Sequence, residues 1–274
     1  MFIKQALVGT SLGRLLMAAR NRTQLLQAAV WNPVQLGAVV NDQLAAKLVA
    51  RICQPARTFV DVGAHIGSVM SEANYYTSCK VIAIEAISDK AANLRRRFPW
   101  ATVHACAVGD REGEASFFVD RSQSGYSSLG SHRSGAEEIR VPIRRLDTLV
   151  TTDDVDVIKI DVEGAELGVL LGAEAIISRF RPVVLFESAP TNQMYPRENL
   201  WLWFQDRNYT VLPPDRLAHN GPGLTAEGFD EAHWYPRRAT NYFAVPRERR
   251  DVVRRRARRI LGIDPMMDHG AEDR

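Results

Sequence analysis

The stretch Thr58 to Gly67, Thr-Phe-Val-Asp-Val-Gly-Ala-His-Ile-Gly, constrains this chain more than any other. A β-branched and aromatic run (Phe59, Val60, Val62) gives way at Gly63 to a glycine-containing loop, and Gly67 opens a segment of helical periodicity. A buried strand turning into a helix in this way is where open α/β sheets bind nucleosides. Gly63, lacking a Cβ, is expected to let the backbone pass close to a ligand. The spacing is Gly-x-x-x-Gly behind Asp61, without the Gly-x-Gly of a dinucleotide fingerprint. A diphosphate is favoured by helix N-terminal amides and repelled by a neighbouring carboxylate, whereas the sulfonium and ammonium of S-adenosyl-L-methionine are favoured by one. Glu85 ends the next apolar run, Val81–Ile84, where a carboxylate can accept both ribose hydroxyls. The cofactor-binding set expected from this reading is Asp61, Gly63, His65, Gly67, Glu85 and, near the end of the third strand, Ala107.

Beyond the loop, strand and helix signals alternate. Strand 58–63 precedes helix 67–77. Strand 80–85 precedes a helix that Ser88 can cap and that runs to Phe98, and strand 102–108 follows. Two alternating segments, 113–120 and 138–144, then bracket a Ser/Gly-rich loop, 122–135, as a hairpin-like insertion with a mobile tip. The rhythm resumes with strand 155–161, a helix from Gly164 to about Ser178, strand 182–187, helix 199–206 and short strands 209–212 and 241–245. The fold class is α/β and Rossmann-like: a mostly parallel sheet covered by helices on both faces. Residues 1–54 read as a helical extension packed on the main domain and over the cofactor mouth, 55–246 as the main domain, and 247–274 as a basic tail.

Charge is distributed unevenly. Residues 247–259 hold eight Arg against Glu248 and Asp251, so this segment carries +6 and the other residues −3 of the net +3. That tail is either a solvated helix end or a segment drawn to an anionic membrane surface or acidic partner; no aromatics are interleaved for stacking on nucleic acid. No run reaches the roughly 18 apolar residues of a membrane span. The N-terminus is interrupted by Arg14 too soon for a secretion signal, although the absence of acidic residues before Asp42 also suits a transit peptide. Cys53, Cys79 and Cys106, odd in number and forming no Cys-x-x-Cys pair, read as reduced, buried thiols of a cytoplasmic protein.

Polar residues gather where the strands end: Asp61 with His65, Glu85, Lys159 with Asp161 and Glu163, and Glu187 with Ser188. Charge inside a Val/Ile strand costs several kcal/mol unless paired, so Lys159 needs a carboxylate, with Asp161 or Glu163 nearest in sequence. His104 reads as a packed core residue. His132, His219, His233 and His269 share no ligand spacing, so no tightly held metal is expected. Trp201, Trp203, Trp234, Tyr195 and Tyr235 offer aromatic faces to a sugar ring or, for the helical pair, to the core.

Phe59–Gly67, Ile158-Lys-Ile-Asp-Val-Glu-Gly-Ala-Glu166 with Leu170 and Gly172-Ala173, Leu146-Asp147 and Asn241–Val245 together resemble the FkbM family of S-adenosylmethionine-dependent methyltransferases over about residues 55–246. The resemblance implies a seven-stranded class I methyltransferase sheet whose last strand is antiparallel. It also implies O-methylation of a hydroxyl on a sugar, a glycolipid or surface glycan, or a polyketide-type product. The sequence departs from the family pattern at His65, where Asn is common.

In-line displacement needs alignment and a base. Asp161 is the first candidate and His65 the second, with Lys159 completing the catalytic set; Asp161 is alternatively a ligand of the cofactor's amino-acid part. Ser127 and Ser128, in the loop 124–129, and Glu163 and Glu187 are the expected acceptor contacts. Competing readings are an N-methyltransferase of a small molecule and a methyltransferase fold kept as a binding module. A nucleic-acid methylase is disfavoured because Asp161 leads into Val-Glu-Gly rather than Pro-Pro-aromatic, and a nicotinamide enzyme by the missing Gly-x-Gly.

Overall fold

The computed structural model describes residues 7–119, 127–128, 137–189 and 194–263. Two helices, α1 (Ser11–Trp31) and α2 (Leu36–Ile52), precede strand β1 (Thr58–Val62), and α3 (Ser68–Thr77), β2 (Lys80–Ile84), α4 (Ser88–Arg97) and β3 (Thr102–His104) follow. Then come β4 (Ala107–Val108), β5 (Gly113–Val119), β6 (Ser127–Ser128), β7 (Glu137–Arg144) and α5 (Leu146–Leu149). The second half runs β8 (Val155–Ile160), α6 (Glu166–Leu171), α7 (Glu174–Phe180), β9 (Val183–Glu187), α8 (Arg197–Asp206), β10 (Tyr209–Leu212), α9 (Ala226–Glu231), β11 (Asn241–Pro246) and α10 (Arg250–Leu261).

Seven strands form one sheet in the order β10-β11-β9-β8-β1-β2-β3, parallel except for β11, which is antiparallel to both its neighbours. Chain order reverses between β1 and β8, so their carboxyl ends flank the crevice where such sheets bind ligands. Alternate residues serve opposite faces. Val60, Ile158 and Phe186 pack with Leu170 and Phe204, while Phe59, Val157 and Leu185 pack with Leu48 and Ile52 of α2 and Val253 and Ala257 of α10.

The structure corrects the expected elements in four places. The strand expected over 102–108 is two, because the chain leaves the main sheet after His104 and Ala107–Val108 pairs with β7 in a second sheet, β4-β7-β5-β6. The helix expected over 164–178 breaks at Gly172, where a Cβ would stand 2.1 Å from the Gly109 carbonyl oxygen. Asp147 then accepts from the amides of Ala175 (3.2 Å) and Ile176 (3.0 Å), supplying the start of α7 with acceptors. Ser88 is the first residue of α4 rather than its cap, a position held by Ile87 without a side-chain bond. Helices α1 and α2 do not line the cofactor-side cavity described below, although α2 reaches the opposite side of the site.

The basic tail is largely engaged in internal contacts. Arg249 and Arg256 both meet the buried Asp156 carboxylate, Arg256 also donates to the Ile52 carbonyl (3.1 Å), and Arg250 donates to the carbonyls of Leu217, Arg216 and His219. The three cysteines are free and buried. Among the described residues no helix is long and apolar enough to cross a membrane.

Candidate active site

Parallel pairing of β1 with β8 sets Asp61 beside Lys159. The Lys159 ammonium lies 3.1 Å from Asp61 Oδ1 and 3.2 Å from Asp161 Oδ2 and donates to the Gly63 carbonyl at 3.0 Å. Asp161 was one of the expected partners; Asp61, across the strands, was not. Burial alone would push the Lys159 ammonium down, but Asp161 and Asp61 outweigh it and hold the group above the ordinary lysine value. Burial likewise opposes ionisation of Asp161, yet Lys159, Glu187 and His65 hold its carboxyl below the usual range. The Asp61 carboxyl is pushed up by burial, which Lys159 offsets only in part.

The loop after β1 is strained and tightly placed. Gly63 and Gly67 have φ of 79° and 80°, and His65 has φ of 51°. A Cβ on Gly63 would stand 1.9 Å from the Asp161 carbonyl oxygen, so it is the approach of the β8 end, not of a ligand, that this glycine admits. A Cβ on Gly67 would meet Phe98 and Leu94 at 2.6 and 2.8 Å. Gly67 therefore serves packing against α4 and lies outside the cavity lining. The Glu85 carboxylate accepts from the His65 amide (2.8 Å) and the Ile87 amide (3.0 Å), which fixes its direction and leaves lone pairs for a ligand.

Between these loops opens a cavity of about 260 Å³. Ile84, Ala107 and Val108 give it apolar walls, and Glu85, His65 and Lys159 its polar ones. Of the expected cofactor set, Gly63, His65, Glu85 and Ala107 line the cavity, while Asp61 is sealed behind Lys159. Lys90 and Cys106, not foreseen, line it too; burial lowers the Lys90 pKa against the pull of Glu85. The only sequence signal for either was that it follows a strand, Lys90 in the first turn of α4 and Cys106 between β3 and β4.

Asp161 and Glu163 also line the cavity, and Glu187, at the end of β9, brings a carboxylate oxygen within 4.8 Å of theirs. Burial first, and Asp161 second, push the Glu187 carboxyl up to about 9, and the two side chains are hydrogen-bonded. Burial and the neighbouring Asp161 thus favour the protonated form of Glu187, while Lys159 favours the ionised form of Asp161. The Asp161 side chain keeps 42% of its surface exposed, facing the opening. Behind Glu187, its register partner Asn241 donates to Asp42 (3.0 Å) and exchanges bonds with Asn41, which brings α2 to this side of the site.

Ser127 and Ser128 form β6, paired with Val119 and Phe118; the rest of the loop 124–129 falls outside the described residues. Trp203 is buried against Phe204, and Trp201 donates to the Leu224 carbonyl, so neither faces the cavity. Trp234 and Tyr235 are exposed.

A family model described as the methyltransferase FkbM domain matches residues 61–211, more than half of the chain. The chain belongs to the FkbM methyltransferase family. The cavity sets an apolar slot that could take a purine beside a fixed carboxylate that could take a ribose diol. Among solved structures, the chain is similar to the methyltransferase FkbM from Methylobacillus flagellatus KT (20% identity, TM-score 0.45), over 69% of this chain and 43% of that one. It thus spans less than half of that methyltransferase. A geranyl diphosphate methyltransferase solved with SAM (16%, TM-score 0.41) matches over 78% of this chain and 90% of its own. A TehB-like methyltransferase from Corynebacterium glutamicum (12%, TM-score 0.38) matches over 84% and 94%. No protein of curated function matches the chain.

Proposed function

We propose that this FkbM methyltransferase methylates an acceptor hydroxyl of a sugar, a glycolipid or surface glycan, or a polyketide-type product, with residues 55–246 holding the whole site. The observation that carries this reading is the carboxylate group of Asp161, Glu163 and Glu187 at the edge of the cavity. An uncharged hydroxyl must shed a proton on methylation, and carboxylates both orient hydroxyls and take protons. Bound S-adenosylmethionine supplies an electrophilic methyl on a sulfonium. Glu85 would hold the ribose, Ala107 and Val108 would flank the purine, and His65 and Lys159 would border the reacting end. Lys159 also keeps Asp161 ionised. Asp161 would take the proton that the acceptor oxygen sheds as that oxygen gains the methyl group and the carbon–sulfur bond breaks to leave a neutral thioether; the proton becomes strongly acidic as the oxygen is alkylated, so a carboxylate of low pKa suffices. Glu163 and Glu187 hold the acceptor.

Calorimetric titration with S-adenosylmethionine and S-adenosylhomocysteine tests the cofactor half. Micromolar binding is expected, weakened about 10- to 100-fold in Glu85→Ala, the worth of hydrogen bonds to a charged acceptor. A folded protein that binds neither would instead be a binding module of this fold. Mass spectrometry of products from glycan, polyketide and amine acceptors tests the other half: methylation of amines alone would replace the O-methyl reading with an N-methyl one.

A further inference from the structure

Helix α1 is nearly bare. Only Gly13 and Ala28 of its 21 residues are buried. At 100° per residue, Leu12, Leu15, Leu16, Ala19, Leu26 and Val30 fall within an arc of about 100°, a single stripe facing away from the protein. Leu15 and Leu26 are 67% and 66% exposed. Arg22 borders the stripe on one side and Arg20 on the other, and no Asp or Glu occurs before Asp42. At the end of the helix Trp31 is 77% exposed. The surface continues beyond the turn, because Gly37 packs directly on the carbonyls of Pro236 and Arg237, next to the exposed Trp234 and Tyr235.

An apolar stripe with cationic borders and aromatic residues at one end fits the boundary between lipid headgroups and acyl chains. A second copy fits less well, since two such faces would bring arginines together with no carboxylate on either to meet them. We propose that α1 and the neighbouring Trp234–Tyr235 segment dock this methyltransferase on an anionic lipid surface. The stripe lies in the acyl boundary and Arg20 and Arg22 meet the headgroups. Helix α2, which follows α1, reaches the acceptor side of the site, where Asn41 and Asp42 bond Asn241, the register partner of Glu187. Helix α10, despite its eight-arginine neighbourhood, is not the anchor, because Arg249, Arg250 and Arg256 are engaged within the protein.

The test is co-sedimentation of the full chain with vesicles of phosphatidylcholine alone and of phosphatidylcholine with phosphatidylglycerol. The protein is expected to pellet with the anionic vesicles and less as salt rises. The double substitution Leu15→Ser and Leu26→Ser is expected to weaken this about tenfold or more, leaving melting temperature and cofactor affinity unchanged. Arg255→Ser with Arg259→Ser, both exposed on α10, is expected to leave vesicle binding near that of the parent. Failure to pellet with anionic vesicles overturns the proposal, as does equal pelleting with both kinds. Loss of binding in the α10 pair but not the α1 pair moves the anchor to the tail. A dimer in sedimentation velocity that the α1 pair dissociates, without lipid binding, assigns the stripe to a second copy.

Discussion

The two ends of β8 bury charge in opposite ways. At the amino end Asp156, fully buried, is met by Arg249, by Arg256 at 3.6 Å and by the Gln54 amide at 2.7 Å. At the carboxyl end one ammonium, Lys159, faces Asp61 and Asp161, with Glu163 and Glu187 close by. In the first cluster cations outnumber the carboxylate and enclose it. In the second, carboxylates outnumber the cation and border a cavity. Removing charge from water costs several kcal/mol per ion, which only complete pairing offsets. The amino-end cluster meets that condition and ties α10 to the sheet. The carboxyl-end cluster does not, so one of its carboxyls holds a proton and another stays ionised at the opening, a state suited to exchanging a proton with something that enters.

If that contrast holds, substitutions at the two ends will separate turnover from stability. The largest effect is expected from Asp161→Asn: turnover with a methyl acceptor should fall about 10²–10⁴-fold, with S-adenosylmethionine affinity in calorimetry retained. A parallel loss of affinity would make Asp161 a cofactor ligand instead. Lys159→Ala comes next, leaving Asp61 sealed in the sheet with no cation, and urea titration should show a loss of about 3–5 kcal/mol. Asp156→Ala should cost less, about 1–3 kcal/mol, because Arg249 and Arg256 retain 19% and 22% exposure and can turn toward water. Cofactor affinity should be untouched there. A larger loss in Asp156→Ala than in Lys159→Ala would break the comparison.

Much of the fold was legible because its signals are local. Apolar runs bounded by Gly, Pro and Ser placed the main strands, and the Gly63 loop with Glu85 located the cavity. What the residues did not disclose depends on which strands become neighbours. Lys159 finds Asp61 only because β1 and β8 meet at the switch in strand order. Glu187 reaches Asp161 only because β9 follows β8 in the sheet. Gly67 carries the same local pattern whether it admits a ligand or, as here, Phe98. Ala105 and Cys106 interrupt the third strand without Gly or Pro to announce it, so the departure of Ala107–Val108 to the second sheet had no sequence marker.

The smallest effect reads out the shared proton itself. With its carboxyl pushed up to about 9 from an ordinary 4.5, Glu187 binds more proton in the folded chain than in the unfolded one throughout that interval. The stability tied to its protonated form is therefore complete below about pH 4.5 and declines as pH rises toward 9. Asp161, held low, acts in the opposite sense, and its contribution is lost only as pH falls below the carboxylate range. Glu187→Gln keeps the donor to Asp161 and removes the titration. Melting temperatures followed from about pH 5 to pH 9 should thus diverge, the variant gaining on the parent by a few degrees toward the alkaline end. Parallel curves for Glu187→Gln and the parent would mean that no proton is stored at the carboxyl end of β8, and the two ends would then differ only in their exposure to the cavity.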